Sequence, residues 1–147
     1  MANIATDIQI IGFKLNAEEY ALEISGVQEI IKIQSITRVP RSKPYILGVI
    51  NLRGIIIPVI DLNIRFGIGK TTEIEKKRVI ILKFGTLSVG IVVDGVSEVI
   101  DVSASQILSN PAITSSMNQE FLKGVCKLGD DRLLTLLDIE KTLEIKA

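Results

Sequence analysis

Apolar residues along this chain come in short, β-branched bursts: Ile8 to Leu15, Val27 to Ile33, Leu47 to Leu52, Ile55 to Ile60, Val79 to Phe84, Leu87 to Val93, Val96 to Val102 and Leu133 to Leu137. Each has the length of a strand, most are separated by Gly, Asn, Asp or Pro, and branched side chains suit a pleated surface. The pattern predicts an all-β chain. Several bursts are almost continuously apolar, Ile55-Ile56-Ile57-Pro58-Val59-Ile60 above all, which implies burial on both faces, as in a small barrel with a second body packed on it. Pro58 lacks a backbone donor and predicts an edge or bulge position. Helix signals are short. Ser103 and Gln106 have capping-box spacing ahead of about two turns. Asp61 precedes Leu62 to Phe66, which ends at Gly67, and Asp138 precedes Ile139 to Leu143. All three read as caps on barrels.

An internal repeat organises the strands. Gly26-Val27-Gln28-Glu29-Ile30-Ile31 is echoed by Gly95-Val96-Ser97-Glu98-Val99-Ile100. Further on, Tyr45 to Gly48-Val49 and on to Asp61-Leu62 is echoed by Phe121 to Gly124-Val125 and on to Asp138-Ile139. A repeat of about 70 residues is too long for a solenoid unit and suits a duplicated small barrel. The charged, glycine-led stretch from Gly67 to Lys77 reads as the connection, placing one barrel at 16–68 and the other at 77–147. A second long polar stretch, Ser109 to Gln119, lies inside the second half.

Composition narrows the chemistry. The sequence contains no histidine, which removes Ser-His-Asp and Cys-His nucleophilic sites, a histidine general base and histidine-held metals together. A single cysteine, Cys126, lies in an apolar run and reads as a reduced core residue, excluding an intrachain disulfide. Gly67-Ile68-Gly69-Lys70-Thr71 lacks the upstream glycine of a phosphate-binding loop. Asp130-Asp131 and Asp94-Gly95 fit turns better than a catalytic carboxylate pair. Neither a metal nor an organic cofactor is expected, nor an enzyme. Seventeen basic residues balance seventeen acidic ones, and with only four Phe, two Tyr and no Trp, a nucleic-acid-binding pair of barrels is disfavoured. The N-terminal residues lack a signal-peptide pattern and no apolar run approaches the roughly 20 residues of a membrane span, so a cytoplasmic protein is expected.

Two charged residues stand out. Strand alternation places Val27, Glu29 and Ile31 on one face, where a carboxylate among apolar neighbours is either an ordinary solvated residue or part of a docking patch. Arg53, in Asn51-Leu52-Arg53-Gly54 between two apolar strands, projects from a hairpin tip as either a solvated turn residue or a binding anchor.

Phe13-Lys14-Leu15, Tyr20 to Ile24, Val27 to Ile30, Val39-Pro40, Gly48 to Gly54, Pro58 to Leu62, Gly90 to Asp94 and Leu136-Leu137-Asp138 follow one another along the chain. In this order they resemble the CheW-like family of bacterial chemotaxis coupling proteins. The resemblance covers about residues 8 to 143 and is most distinctive from Gly48 to Leu62. It implies two packed five-stranded SH3-like barrels with short capping helices, the strand at 7–15 joining the second barrel. It also implies a free-standing, non-catalytic adaptor that links the cytoplasmic hairpin tips of transmembrane chemoreceptors to the regulatory domain of the histidine kinase CheA. Such an adaptor is cytoplasmic, is recruited to membrane-associated receptor arrays and alternates there with the kinase domain in rings. Carried over position by position, Val27, Glu29, Gly48, Arg53, Gly90 and Val99 match residues implicated in receptor coupling. Gly48 and Gly90 are expected to act through backbone geometry.

Overall fold

A computed structural model describes residues 8–16, 18–41, 43–67, 76–108, 122–128 and 132–143. The strands are β1 (Ile8–Leu15), β2 (Glu18–Glu23), β3 (Val27–Lys32), β4 (Ile46–Leu52), β5 (Ile55–Asp61), β6 (Arg78–Phe84), β7 (Leu87–Val93), β8 (Gly95–Val102), β9 (Ile107–Leu108), β10 (Leu122–Leu128) and β11 (Arg132–Leu137). Helix α1 (Leu62–Arg65) follows β5 and helix α2 (Ile139–Leu143) follows β11. The eight apolar bursts become strands. β2 was missed because glutamates occupy both of its ends and leave a short apolar centre.

The strands form two sheets, ordered β3-β6-β7-β5-β4 and β8-β1-β2-β11-β10-β9. The first belongs to a compact unit of residues 14–16 and 26–96, the second to a unit of residues 8–13, 18–25 and 97–143. A boundary between residues 67 and 77 is therefore incorrect, because β6 and β7 complete the first sheet. β3 and β8, β4 and β10, and β5 and β11 are the repeated pieces, and each sheet adds one further pair of neighbouring strands. In the first sheet that pair is β6 and β7, which follow β5 in the chain; in the second it is β1 and β2, which precede everything else. The duplication is circularly permuted, so no single cut separates the copies.

Local details repeat with the topology. The β4–β5 register shifts between Ile46 and Gly48, and the β10–β11 register shifts between Leu122 and Gly124. β5 runs parallel to β7, and β11 parallel to β2. Each sheet also turns back on itself. After β3 the chain returns to the opposite edge, where Thr37 N donates to Val49 O at 2.9 Å and Val49 N to Thr37 O at 2.8 Å. After β8 the chain returns as β9, pairing Leu108 with Val125 of β10. Five main strands and a short closing contact in each sheet give the barrel-like character expected.

Of the edge or bulge position expected for Pro58, the edge is ruled out because β5 is an interior strand, while a register shift of the β4–β5 ladder does lie beside it, between Ile46 and Gly48. Pro58 opposes Val49, whose backbone groups are engaged with Thr37 on the other side, and the parallel ladder to β7 begins only at Val59. The missing donor thus falls where no ladder bond is required. The helix expected after Ser103 is a single 3-10 turn, Ala104–Gln106. Gln106 Oε1 does accept from Ser103 N at 2.9 Å, the predicted cap, but Ile107 and Leu108 are drawn onto β10 and end the turn. Asp61 caps α1 as expected, accepting from Asn63 N at 2.8 Å and Ile64 N at 3.3 Å. Residues 109–121 and Asp130-Asp131 lie outside the described residues, as does most of the Gly67 to Lys77 connection.

Each unit has its own aliphatic core. Ile50, Leu52, Ile57, Val59, Val79, Ile81 and Val92 fill the first. Ile10, Ala21, Val102, Cys126, Leu134 and Leu136 fill the second. Cys126 is fully buried, and burial, then the Glu23 carboxylate, pushes its thiol above the ordinary range. In the same unit Tyr20 is pushed up by burial, then by its hydrogen bond to Glu18 Oε1 at 2.8 Å and that carboxylate's charge. In the unfolded chain the two groups lose their protons at their ordinary values, about 8.5 for Cys and about 10 for Tyr, whereas the folded chain holds them to higher pH. The folded state then binds more protons, so stability falls as pH rises above about 9. Urea midpoints measured from about pH 7.5 to 10.5 are expected to decline, and less steeply at first in Cys126→Ala. A flat midpoint across that range contradicts this assignment.

Candidate functional site

The β4–β5 hairpin turns through Arg53-Gly54, with Leu52 opposite Ile55 and positive φ at both turn residues, 51° and 87°. That is the signature of a two-residue type I′ turn, where Asn-Gly is the easy solution and a bulky residue in the first position is strained. Asn51 Oδ1 accepts from Gly54 N at 2.9 Å and braces the loop. Arginine occupies the strained position, and its guanidinium is ion-paired to the Glu29 carboxylate on β3. The Arg53 side chain remains 66% exposed and that of Glu29 28%. An outward-facing ion pair with a solvated arginine contributes little to folding but offers a partner both charges at a fixed place.

The position of this pair follows from the topology. β3 is one edge of its sheet and β4 the other, so the pair ties one edge strand to the hairpin carrying the other. The same seam is closed by the Thr37–Val49 bridge, and Gly48 sits directly against it. A Cβ on Gly48 would lie 2.1 Å from Thr37 O and 2.9 Å from Ile36 Cγ2, and the glycine has φ 149°. Only a residue without a side chain allows the two edges to meet there. Glu29, Arg53 and Gly48, separated in sequence, are thus all residues of one barrel seam.

Val27 begins β3 opposite Leu82, with a register shift between it and Glu29. Burial along β3 alternates strictly: Val27, Glu29 and Ile31 are half-buried, and Gln28, Ile30 and Lys32 are exposed. The expected exposed Val27-Glu29-Ile31 face is therefore the inner one, with Ile31 against the core and only the head of Glu29 reaching its partner. The fully outward apolar residue is Ile30. Gly90 lies in the middle of β7, buried, where a Cβ would lie 2.8 Å from Val79 Cγ1, 3.4 Å from Ile81 Cδ1 and 3.6 Å from Val59 Cγ2. It acts through packing. Val99 belongs to the other unit, on β8, and is 51% exposed.

The sequence reading missed the apolar end beside the Arg53 turn. Ile55 is 57% exposed and Ile56 60%. The β5–β7 register matches Val59 to Gly90, and three residues upstream on each strand lie Ile56 and Leu87, the latter also exposed. The legible signal was Ile-Ile immediately after a two-residue turn, where outward residues are usually polar. Asp94 has a structural role instead: Asn63 Nδ2 donates to its two carboxylate oxygens at 3.1 and 2.9 Å, and Lys77 lies 3.8 Å away. Among the described residues no group of three or more His, Cys, Asp or Glu side chains is placed to hold a metal.

The packing at Gly90 is directly testable. Gly90→Ala is expected to cost about 1–3 kcal/mol by overpacking. Val79→Ala removes the obstructing methyl, so the double variant should be more stable than the summed single effects by about 1 kcal/mol. Strict additivity in denaturant melts contradicts the contact.

Comparison with known proteins gives a consistent result. Residues 9–147 match the family model described as CheW-like domain. The chain is 41% identical to the chemotaxis protein CheW of Klebsiella aerogenes, the match covering 97% of this chain and 91% of that protein. It is 37% identical to the chemotaxis protein CheW of Bacillus subtilis over the same shares. Among solved structures, it is similar to the scaffolding protein TtCheW of Thermoanaerobacter tengcongensis, with a TM-score of 0.85, 37% identity, and coverage of 95% of this chain and 89% of that one.

Proposed function

Because the chain belongs to the CheW-like domain family, we propose that it is a non-catalytic adaptor coupling transmembrane chemoreceptors to the histidine kinase CheA in bacterial chemotaxis. The observation that carries this reading is the 41% identity to a chemotaxis protein CheW along nearly the whole of both chains. A structural likeness of 0.85 to a scaffolding protein supports it. No helix among the described residues is long and apolar enough to cross a membrane, in keeping with recruitment to receptor arrays through protein contacts from the cytoplasm.

Within that role the six matched residues divide by physics. Glu29 and Arg53 form the charged part of a receptor-docking face, with Val27 on the same strand as Glu29; Val99, an exposed apolar residue of the other unit, is taken as a contact of its own. Gly48 and Gly90 shape the barrel that carries the face. The test is co-purification of the protein with a kinase regulatory domain and with a receptor cytoplasmic fragment, separately and together. Binding to both and joint stimulation of kinase activity are expected. Binding to neither sinks the proposal.

A further inference from the structure

The balanced charge of the whole chain conceals a local excess. Between Glu29 and Asp61 there is no acidic residue, while Lys32, Arg38, Arg41, Lys43 and Arg53 all fall there. The connection from β3 to β4 gathers three of these cations around one groove, made of two adjoining cavities of about 270 and 340 Å3. Its floor is aliphatic, from half-buried Ile36, Leu47 and Ile64, and its rim carries Arg38, Arg41 and Lys43. Neither Arg38 nor Arg41 is ion-paired to a carboxylate among the described residues.

The rim is held in place. Pro40 and Pro44 restrict the backbone on either side, and Arg41 adopts φ 63°, a left-handed conformation that arginine takes only when its surroundings impose it. The Tyr45 ring has the Arg65 guanidinium carbon 4.8 Å and Lys43 Nζ 5.8 Å from its centroid, within cation–π range. A preorganised rim lowers the ordering cost of binding.

We propose that this groove docks an acidic amphipathic segment of a partner protein, its aliphatic side chains in the floor and its carboxylates on Arg38 and Arg41. Charge complementarity selects an anionic partner, since the described residues lining the groove include Arg38, Arg41 and Lys43 and no acid. The floor selects among anions. It is a recess of branched aliphatic side chains without an exposed aromatic platform for base stacking, which disfavours single-stranded nucleic acid. Val39 is the one large apolar residue of the rim that protrudes, too little to insert into a lipid surface. Guanidinium groups suit carboxylates, which they bind through two parallel hydrogen bonds. The proposal goes beyond the adaptor role and stands on its own geometry.

The test uses the full chain, isotope-labelled for NMR. The probe is an acetylated peptide of about 14 residues with Leu at positions i, i+3, i+4 and i+7 and Glu elsewhere. Saturable shifts confined to the amides of residues 36–47 and 64–65 are expected. Affinity should fall about tenfold or more in Arg38→Glu/Arg41→Glu, less in Arg38→Gln/Arg41→Gln, and about tenfold when the peptide carries Gln for Glu. The substituted side chains are exposed, and an unchanged melting temperature verifies the fold. Phosphatidylserine vesicles and a thymidine oligonucleotide serve as competing anions. Shifts elsewhere, no saturable shift, indifference to the arginine variants, equal binding of the Gln peptide, or tighter binding of vesicles or oligonucleotide each overturn the proposal.

Discussion

Gly48→Ala is expected to lower the stability of this protein by about 3 kcal/mol. The new Cβ would stand 2.1 Å from the Thr37 carbonyl oxygen, a backbone atom with no rotamer by which to move aside. The substitution also places a side chain at φ 149°, a conformation costing about 1–3 kcal/mol for a non-glycine residue. Relief requires opening the Thr37–Val49 bridge, which gives up two backbone hydrogen bonds worth about 1 kcal/mol each. For a chain of this size the melting temperature should fall by about 10 °C. Gly54→Ala is the control, because Gly54 also has positive φ, 87°, but an added Cβ meets nothing within 4 Å. It should cost about 1 kcal/mol. If Gly48→Ala and Gly54→Ala melt together, seam closure is not what Gly48 provides.

Arg53→Glu should do the opposite: leave the fold nearly intact and abolish much of the coupling. The arginine side chain is 66% exposed, so losing its pair with Glu29 removes an interaction worth at most about 1 kcal/mol. The turn itself survives, since Asn51 and Gly54 still brace it. The surface offered to a partner changes completely, from a paired acid and base to two carboxylates that repel. Receptor-fragment affinity is expected to fall about tenfold or more, with a melting temperature within about 3 °C of the wild type. The swapped pair Glu29→Arg/Arg53→Glu separates two explanations. Restored binding means that the pair holds the hairpin in position; continued loss means that the partner reads each charge where it stands. Wild-type receptor binding by Arg53→Glu removes this residue from the docking face.

Much of the fold was legible because it is local. Strand positions followed from apolar bursts, the Arg53-Gly54 tip from its place between two of them, and the start of α1 from Asp61, whose carboxylate does accept from Asn63 N and Ile64 N. The repeat was legible too, down to the glycines at 48 and 124, each of which proves to mark a register shift. The site was less so. Glu29 and Arg53 could be singled out, but nothing in their neighbourhoods showed that they pair, because the partners lie 24 residues apart on opposite edges of a sheet. The orientation of β3 was misread for a related reason. Alternation says which residues share a face, and only the closing of the sheet says which face is inside.

By itself, then, the sequence determined the all-β character, the duplicated pattern, the turns and caps and the absence of histidine chemistry. Each of these depends on side chains acting on their own backbone or on periodicity along it. Tertiary structure alone decided that β6 and β7 complete one sheet while β1 and β2 complete the other, that Thr37 closes a seam, and that Gly48 is required there. The reason is physical: strands pair through backbone N–H and C=O groups that nearly every residue carries, so the choice of neighbour leaves little mark on the residues that make it.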